Sequence, residues 1–140
     1  MEKNRMTICV DASCLGNPGR AEYRGLNFAT KEVLFEYAIP GISTNNVAEF
    51  FAIVHALKYS KENKVYATIY SDSQTAIGWI KNKSCSTTLV RNQETVVSHL
   101  LIKNAKKLLN QFEKKVLVSM VKKWDTRTFG EIPADYGRKK

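Results

Sequence analysis

The chain has 140 residues, 44% hydrophobic, 10% aromatic and 25% charged, a balance that supports one buried core and excludes a disordered, fibrous or low-complexity protein. Its 22 basic and 13 acidic residues leave a net charge of +9, and residues 103–140 hold eleven Lys/Arg against four Asp/Glu. That asymmetry suits a polyanionic partner, nucleic acid being the commonest, although a solvated basic surface would carry the same charge.

Met6-Thr7-Ile8-Cys9-Val10 reads as a strand, and Leu15-Gly16-Asn17-Pro18-Gly19 is a turn cluster that follows it. A second strand is expected over about Glu22–Ala29, a polar reversal at Thr30-Lys31-Glu32, and a third strand over Val33–Ile39 that stops at Pro40-Gly41. Asn45 or Asn46 then offers a helix N-cap, after which Val47, Phe50, Phe51, Val54 and Leu57 recur at helical spacing. Val65–Tyr70 is a fourth strand, followed by a helix through Ala76, Ile77 and Ile80. Beyond the polar loop Asn82–Thr88, Val97, Leu100, Leu101, Ala105, Leu108 and Phe112 mark a longer amphipathic helix, and Val116–Val121 reads as the fifth strand. Strands first and βα alternation later imply an α/β fold with a mixed sheet, its later strands parallel and covered by helices.

No internal repeat, linker or low-complexity tract interrupts the chain, so residues 1–140 read as one domain with a basic tail at 138–140. The three cysteines, Cys9, Cys14 and Cys85, are odd in number and form no CxxC pair, which argues against a disulfide framework or zinc knuckle and for a reducing cytoplasm. Apolar runs are too short for a signal peptide or a bilayer span, so neither export nor membrane insertion is expected.

Four carboxylates sit where elements end or meet: Asp11 at the first strand, Glu49 in the first turn of the first helix, Asp72 at the end of strand four, and Asp135 after strand five. Open α/β sheets place their sites at such strand ends. If strands one and four are adjacent and parallel, Asp11 and Asp72 converge, and carboxylates so crowded repel one another unless a cation lies between them. Oxygen-only ligation suits Mg²⁺ or Mn²⁺ rather than zinc, and two such ions about 3.5–4 Å apart would support in-line hydrolysis of a phosphodiester. Other roles exist for each acid: Glu49 as capping-box partner of Asn46, Asp72 as N-cap of the next helix, Asp135 as a turn residue after Pro133. Asp11 has no such ready alternative, because a carboxylate beside Val10 in an apolar strand is costly without a partner.

The segments Asp11-Ala-Ser-Cys-Leu-Gly-Asn-Pro-Gly19, Thr44-Asn-Asn-Val-Ala-Glu49 and Tyr70-Ser-Asp-Ser-Gln74 closely resemble the three main motifs of bacterial ribonuclease HI, in the family's order and approximate spacing. The ending Phe129-Gly-Glu-Ile-Pro-Ala-Asp-Tyr-Gly-Arg-Lys139 resembles that of one bacterial subgroup, so the likeness covers nearly the whole chain. The resemblance implies a ribonuclease H-like fold with a five-stranded sheet in the order 3-2-1-4-5. It implies hydrolysis of the RNA strand of an RNA–DNA hybrid, leaving 5′-phosphate and 3′-hydroxyl ends. It also implies two Mg²⁺ ions, with Mn²⁺ able to substitute, held by Asp11, Glu49, Asp72 and Asp135.

By the same resemblance Asn17, Asn45 and Gln74 reach the minor groove of the hybrid, where 2′-hydroxyls mark the RNA and where Asn and Gln can both donate and accept. Thr44, Asn46, Thr87 and Thr88 would bind a phosphate of the DNA strand, Trp79 would pack on a DNA sugar, and Lys123 would meet a phosphate. Core packing for Trp79 and plain loop polarity for Thr87 and Thr88 are the alternatives.

Two departures stand out. Many members carry a catalytic histidine before the last aspartate; here 124–133 contains none, and the subgroup's glutamate at that place is matched by Glu131, assigned to the second metal or to product release. His55 and His99 lie within helices and are expected to be structural. The Lys81–Leu89 connection is too short for the extra basic helix of some members, and the chain has no room for a separate hybrid-binding domain. If five acids serve the site, the remaining eight face 22 bases, leaving about +14 on the rest of the surface. An inactive nucleic-acid-binding module is disfavoured because all four acidic positions are filled. Another nuclease of the superfold is disfavoured by the Asn17, Asn45 and Gln74 set. A monomer needing no protein partner is expected.

Overall fold

Ile8, Val10 and Ala12 alternate with Cys9, Asp11 and Ser13, and this period-two pattern carries the first strand past the expected Met6–Val10. In the computed structural model, which describes residues 4–136, β1 spans Asn4–Leu15 and so contains Asp11; the expected basic tail, 138–140, lies outside the described residues. β2 (Arg20–Asn27) returns antiparallel, with Arg24 directly opposite Asp11. It ends two residues before the expected Ala29 because the Asn27 carboxamide oxygen accepts the Ala29 amide at 2.8 Å and opens a turn. β3 (Val33–Ala38) pairs antiparallel with β2. A Cβ on Gly25 would lie 2.3 Å from Phe35 Cζ, so the Phe35 ring takes the space a side chain would need.

α1 (Asn45–Glu62) is buried along most of its circumference, from Val47 and Phe50 to Ile53 and Leu57, as a helix enclosed by a core must be. It packs across β1, β2 and β4 (Val65–Ser71), with α2 (Gln74–Lys81) and α3 (Val96–Leu109) beside it. β4 runs parallel to β1, Ile69 facing Ile8, and the sheet order is β3-β2-β1-β4-β5, as the resemblance implied.

The fifth strand differs from expectation. Residues expected to be extended form α4 (Lys114–Met120), and β5 is confined to Val121–Lys123, parallel to the end of β4. The β-branched residues favour a strand, yet Leu117 and Met120, three apart, are the positions buried, while Val118 and Ser119 face solvent. One-sided burial at helical spacing overrides strand propensity.

The sheet face opposite α1 carries a second cluster in which Cys9 and Leu26 meet Trp124, Ile132 and Ala134. The chain after β5, including α5 (Thr126–Phe129), is thereby folded back over the sheet towards β1 and β2. No helix among the described residues is long and apolar enough to cross a membrane.

Candidate active site

The parallel register pairs Cys9 with Tyr70, and two residues further along both strands bring Asp11 beside Asp72. Glu49, one turn into α1, is held over them by the helix's packing on β1 and β4. One carboxylate oxygen from each of Asp11, Glu49 and Asp72 lies within 4.8 Å of the other two. Asp11 is fully buried and Glu49 is 2% exposed, so both carboxyl groups are held away from bulk water. The set consists of hard oxygen donors with no thiolate or imidazole, which fits a divalent ion of the Mg²⁺ class, whose charge would offset the mutual repulsion of three acids.

The alternative roles of two of these acids are filled by hydroxyl residues. Thr44, rather than Asn45 or Asn46, caps α1, its side chain accepting the Val47 amide at 3.1 Å, so Glu49 is not at the capping-box position. Ser73 caps α2 by accepting the Ala76 amide at 3.1 Å, one residue beyond Asp72. The helices are thus capped without either carboxylate. Asp135 does sit in a turn, its amide donating to Ile132 O at 2.9 Å, but it also lines a small cavity of about 240 Å³ with Asp11 and Asn45.

A second cavity of about 560 Å³ is built where three connections meet. Gly19 and Ser43 exchange backbone hydrogen bonds of 2.9 and 2.8 Å, tying the turn after β1 to the approach to α1. Gly41, at φ +81°, lets the chain pass so close to Glu94 that a Cβ would lie 2.2 Å from its carbonyl oxygen, and the Ile42 amide donates to that oxygen at 2.7 Å. His99 meets the Leu89 carbonyl through Nε2 at 3.0 Å, anchoring the connection after α2. The walls include Asn17, Thr44, Asn46, Trp79, Thr87 and Thr88. Trp79 is half-buried with its ring edge-on to Phe50, so it both packs on the core and faces the cavity.

Gln74 is exposed at the first position of α2, two residues after Asp72. Glu131 and Lys123 are exposed and line neither cavity. Motif reading missed Arg24, whose guanidinium donates to the carbonyls of Ala134 and Asp135; the charged residues Glu22 and Arg24 alternating with Tyr23 and Gly25 were the available signal. It also missed Tyr136, which lines the smaller cavity and whose hydroxyl is driven up in pKa by burial and by nearby Glu22 and Glu36. His55 lies away from the acids: it stacks on Phe35 at 4.1 Å and its Nδ1 meets the Tyr23 hydroxyl at 2.8 Å.

Residues 3–136 match the RNase H family. Ribonuclease HI of Rickettsia prowazekii (strain Madrid E) is 30% identical over 146 residues, covering 94% of this chain and 87% of that protein. Ribonuclease H of Rickettsia bellii (strain RML369-C) is 32% identical over 146 residues, covering 94% and 85%. Among solved structures, RNase H1 from the halophilic archaeon Halobacterium salinarum NRC-1 has a TM-score of 0.54 at 17% identity, over 89% of both chains. The N-terminal RNase H domain of rv2228c from Mycobacterium tuberculosis has a TM-score of 0.51 at 23% identity, over 90% of both. These two structures speak for the shared fold, and the match through 3–136 takes in every strand and every acid discussed above: the chain belongs to the RNase H family.

Proposed function

We infer that the chain is an endoribonuclease that hydrolyses the RNA strand of RNA–DNA hybrids. The observation that carries this reading is the convergence of Asp11, Glu49 and Asp72 within 4.8 Å in a member of the RNase H family. Asp11, Glu49, Asp72 and Asp135 would hold two Mg²⁺ ions, with Mn²⁺ as a substitute. Bound there, the ions supply activation of water and neutralisation of the charge that develops on the phosphate during in-line displacement, giving 5′-phosphate and 3′-hydroxyl ends.

The remaining steps belong to the chain's own residues. Thr44, Asn46, Thr87 and Thr88 would take a phosphate of the DNA strand, and their shared cavity beside Trp79 supports this, the indole offering a flat face for a sugar. Asn17, Asn45 and Gln74 would read the 2′-hydroxyls of the RNA strand, since each side chain both donates and accepts. Lys123, exposed at the end of β5, adds positive charge for the backbone, and Glu131, on the exposed segment after α5, would assist at the second metal or in product release. We further take residues 1–140 to be one catalytic domain that works as a cytoplasmic monomer; the free Cys9, Cys14 and Cys85 suit a reducing compartment.

The test is cleavage of labelled RNA–DNA hybrid, RNA duplex and DNA duplex with Mg²⁺ or Mn²⁺, using wild type and Asp72→Asn. Hybrid-specific cutting that disappears in the variant is expected. Equal cutting of DNA duplex, or activity that survives in the variant, would overturn the reading.

A further inference from the structure

Asp11, Glu49 and Asp72 ride on β1, α1 and the end of β4, but Asp135 comes from an irregular segment with no strand or helix of its own. Ile132 and Ala134 pack that segment against Cys9, Leu26 and Trp124, and one side chain of β2 ties down its end. Arg24 Nε donates to Ala134 O at 2.9 Å and Nη2 donates to Asp135 O at 2.8 Å, while the guanidinium carbon lies 4.5 Å from the Tyr136 ring centroid. One planar group thus engages three successive residues, 134–136, across 110 positions of sequence.

The other end of Arg24 is equally well placed. It stands directly opposite Asp11 in the β1–β2 ladder and opposite Glu36 in the β2–β3 ladder, and directly opposed residues share a face. The side chain therefore starts beside the most buried acid of the cluster and ends on the backbone of Asp135. These two bonds go to main-chain carbonyls, so they fix where the backbone of Asp135 lies beside the cavity it lines with Asp11. A fork is required for this: the rigid guanidinium can span two successive carbonyls, whereas a lysine ammonium is a single point donor.

We propose that Arg24 is a positioning residue that sets the distance between Asp135 and Asp11, and that it contributes to metal binding and turnover only through Asp135. The inference rests on the reading of Asp135 as a metal ligand. Loss of a group that orients a ligand typically costs about 10- to 100-fold in metal affinity or activity, which is the size of effect expected here.

The experiment compares Arg24→Ala, Arg24→Lys, Asp135→Ala and the double variant Arg24→Ala/Asp135→Ala. It reads kcat and KM on a labelled hybrid, and affinity for Mg²⁺ alone by calorimetry. Arg24→Ala is expected to lower kcat and Mg²⁺ affinity by about 10- to 100-fold with KM for hybrid within about twofold, and the double variant to be no worse than Asp135→Ala. Arg24→Lys keeps the charge and guards against misfolding, yet is expected to recover less than half of the lost affinity because it cannot span both carbonyls. Wild-type kcat and affinity in Arg24→Lys, or losses that multiply in the double variant, would overturn the positioning role. Full activity and affinity in Asp135→Ala would overturn the ligand reading and the inference with it.

Discussion

The backbone amide of Asn45 donates to Asn17 Oδ1 at 3.2 Å, joining the turn after β1 to the first residue of α1. The Asn17 oxygen is thus engaged by the protein, so the substrate contact proposed for Asn17 falls to its NH₂. Asn17→Ala should raise KM for hybrid about fivefold, the equivalent of one net hydrogen bond of about 1 kcal/mol, with a smaller change in kcat. Asn17→Asp keeps the acceptor for Asn45 but loses the donor and adds a negative charge, so its rise in KM should be larger. Steady-state kinetics at fixed ionic strength distinguishes the two.

Three acids within 4.8 Å of one another oppose folding when nothing lies between them. In chelator, Asp72→Asn should therefore be more stable than wild type, by on the order of 1 kcal/mol for removing one charge from the cluster. Mg²⁺ at 100 times its dissociation constant should stabilise wild type by about 2.7 kcal/mol and the variant by less. Calorimetric melting with and without Mg²⁺ reads both effects, and identical midpoints in chelator would sink the crowding argument.

The Ser73 hydroxyl that accepts the Ala76 amide keeps Asp72 from serving as the cap of α2. Ser73→Ala should cost about 1 kcal/mol of stability in urea unfolding and lower kcat as well, because the vacated capping position competes for the Asp72 carboxylate. Ser73→Thr should restore both. Thr44→Ala should cost a similar amount of stability, with the functional change falling on KM rather than kcat.

Burial holds the His55 imidazole below its ordinary value of 6.5; Lys58 acts in the same direction and Glu62 opposes it. The unfolded chain then binds the proton more readily, so this contribution to stability is complete above about pH 6.5 and is lost as the pH falls towards the folded-state pKa. Urea midpoints should drop between about pH 7.5 and 5.5, and His55→Gln should flatten that drop. An equal slope in wild type and variant would place the titration elsewhere.

Asp11 and Asp72 are legible in the sequence because each interrupts or ends an apolar strand, where a carboxylate is conspicuous. The cap of α1 is not, since Thr44, Asn45 and Asn46 are all competent by local propensity, and the choice shows only in the fold, where Thr44 accepts the Val47 amide and the Asn45 amide is tied to Asn17. The run Val116–Val121 misleads because β-branched residues favour a strand, whereas burial of Leu117 and Met120 selects a helix. Arg24 is harder to read for a different reason: its alternation with Tyr23 and Gly25 marks a strand position but names no partner. Its neighbours Asp11 and Asp135 are set by strand register and by a segment 110 residues away, neither of which has a local signature.

The acids and the cavity walls differ in what they can tolerate. Asp11, Glu49 and Asp72 lie on or directly beside elements packed into the core, so an insertion near any of them would slip a strand or turn a helix. The larger cavity is walled largely by connections, 17–18, 42–44 and 86–95 among them, that can change length while the sheet register stays as it is. The recognition proposed for this cavity is therefore open to redesign one loop at a time, whereas the acid cluster tolerates change only as a whole.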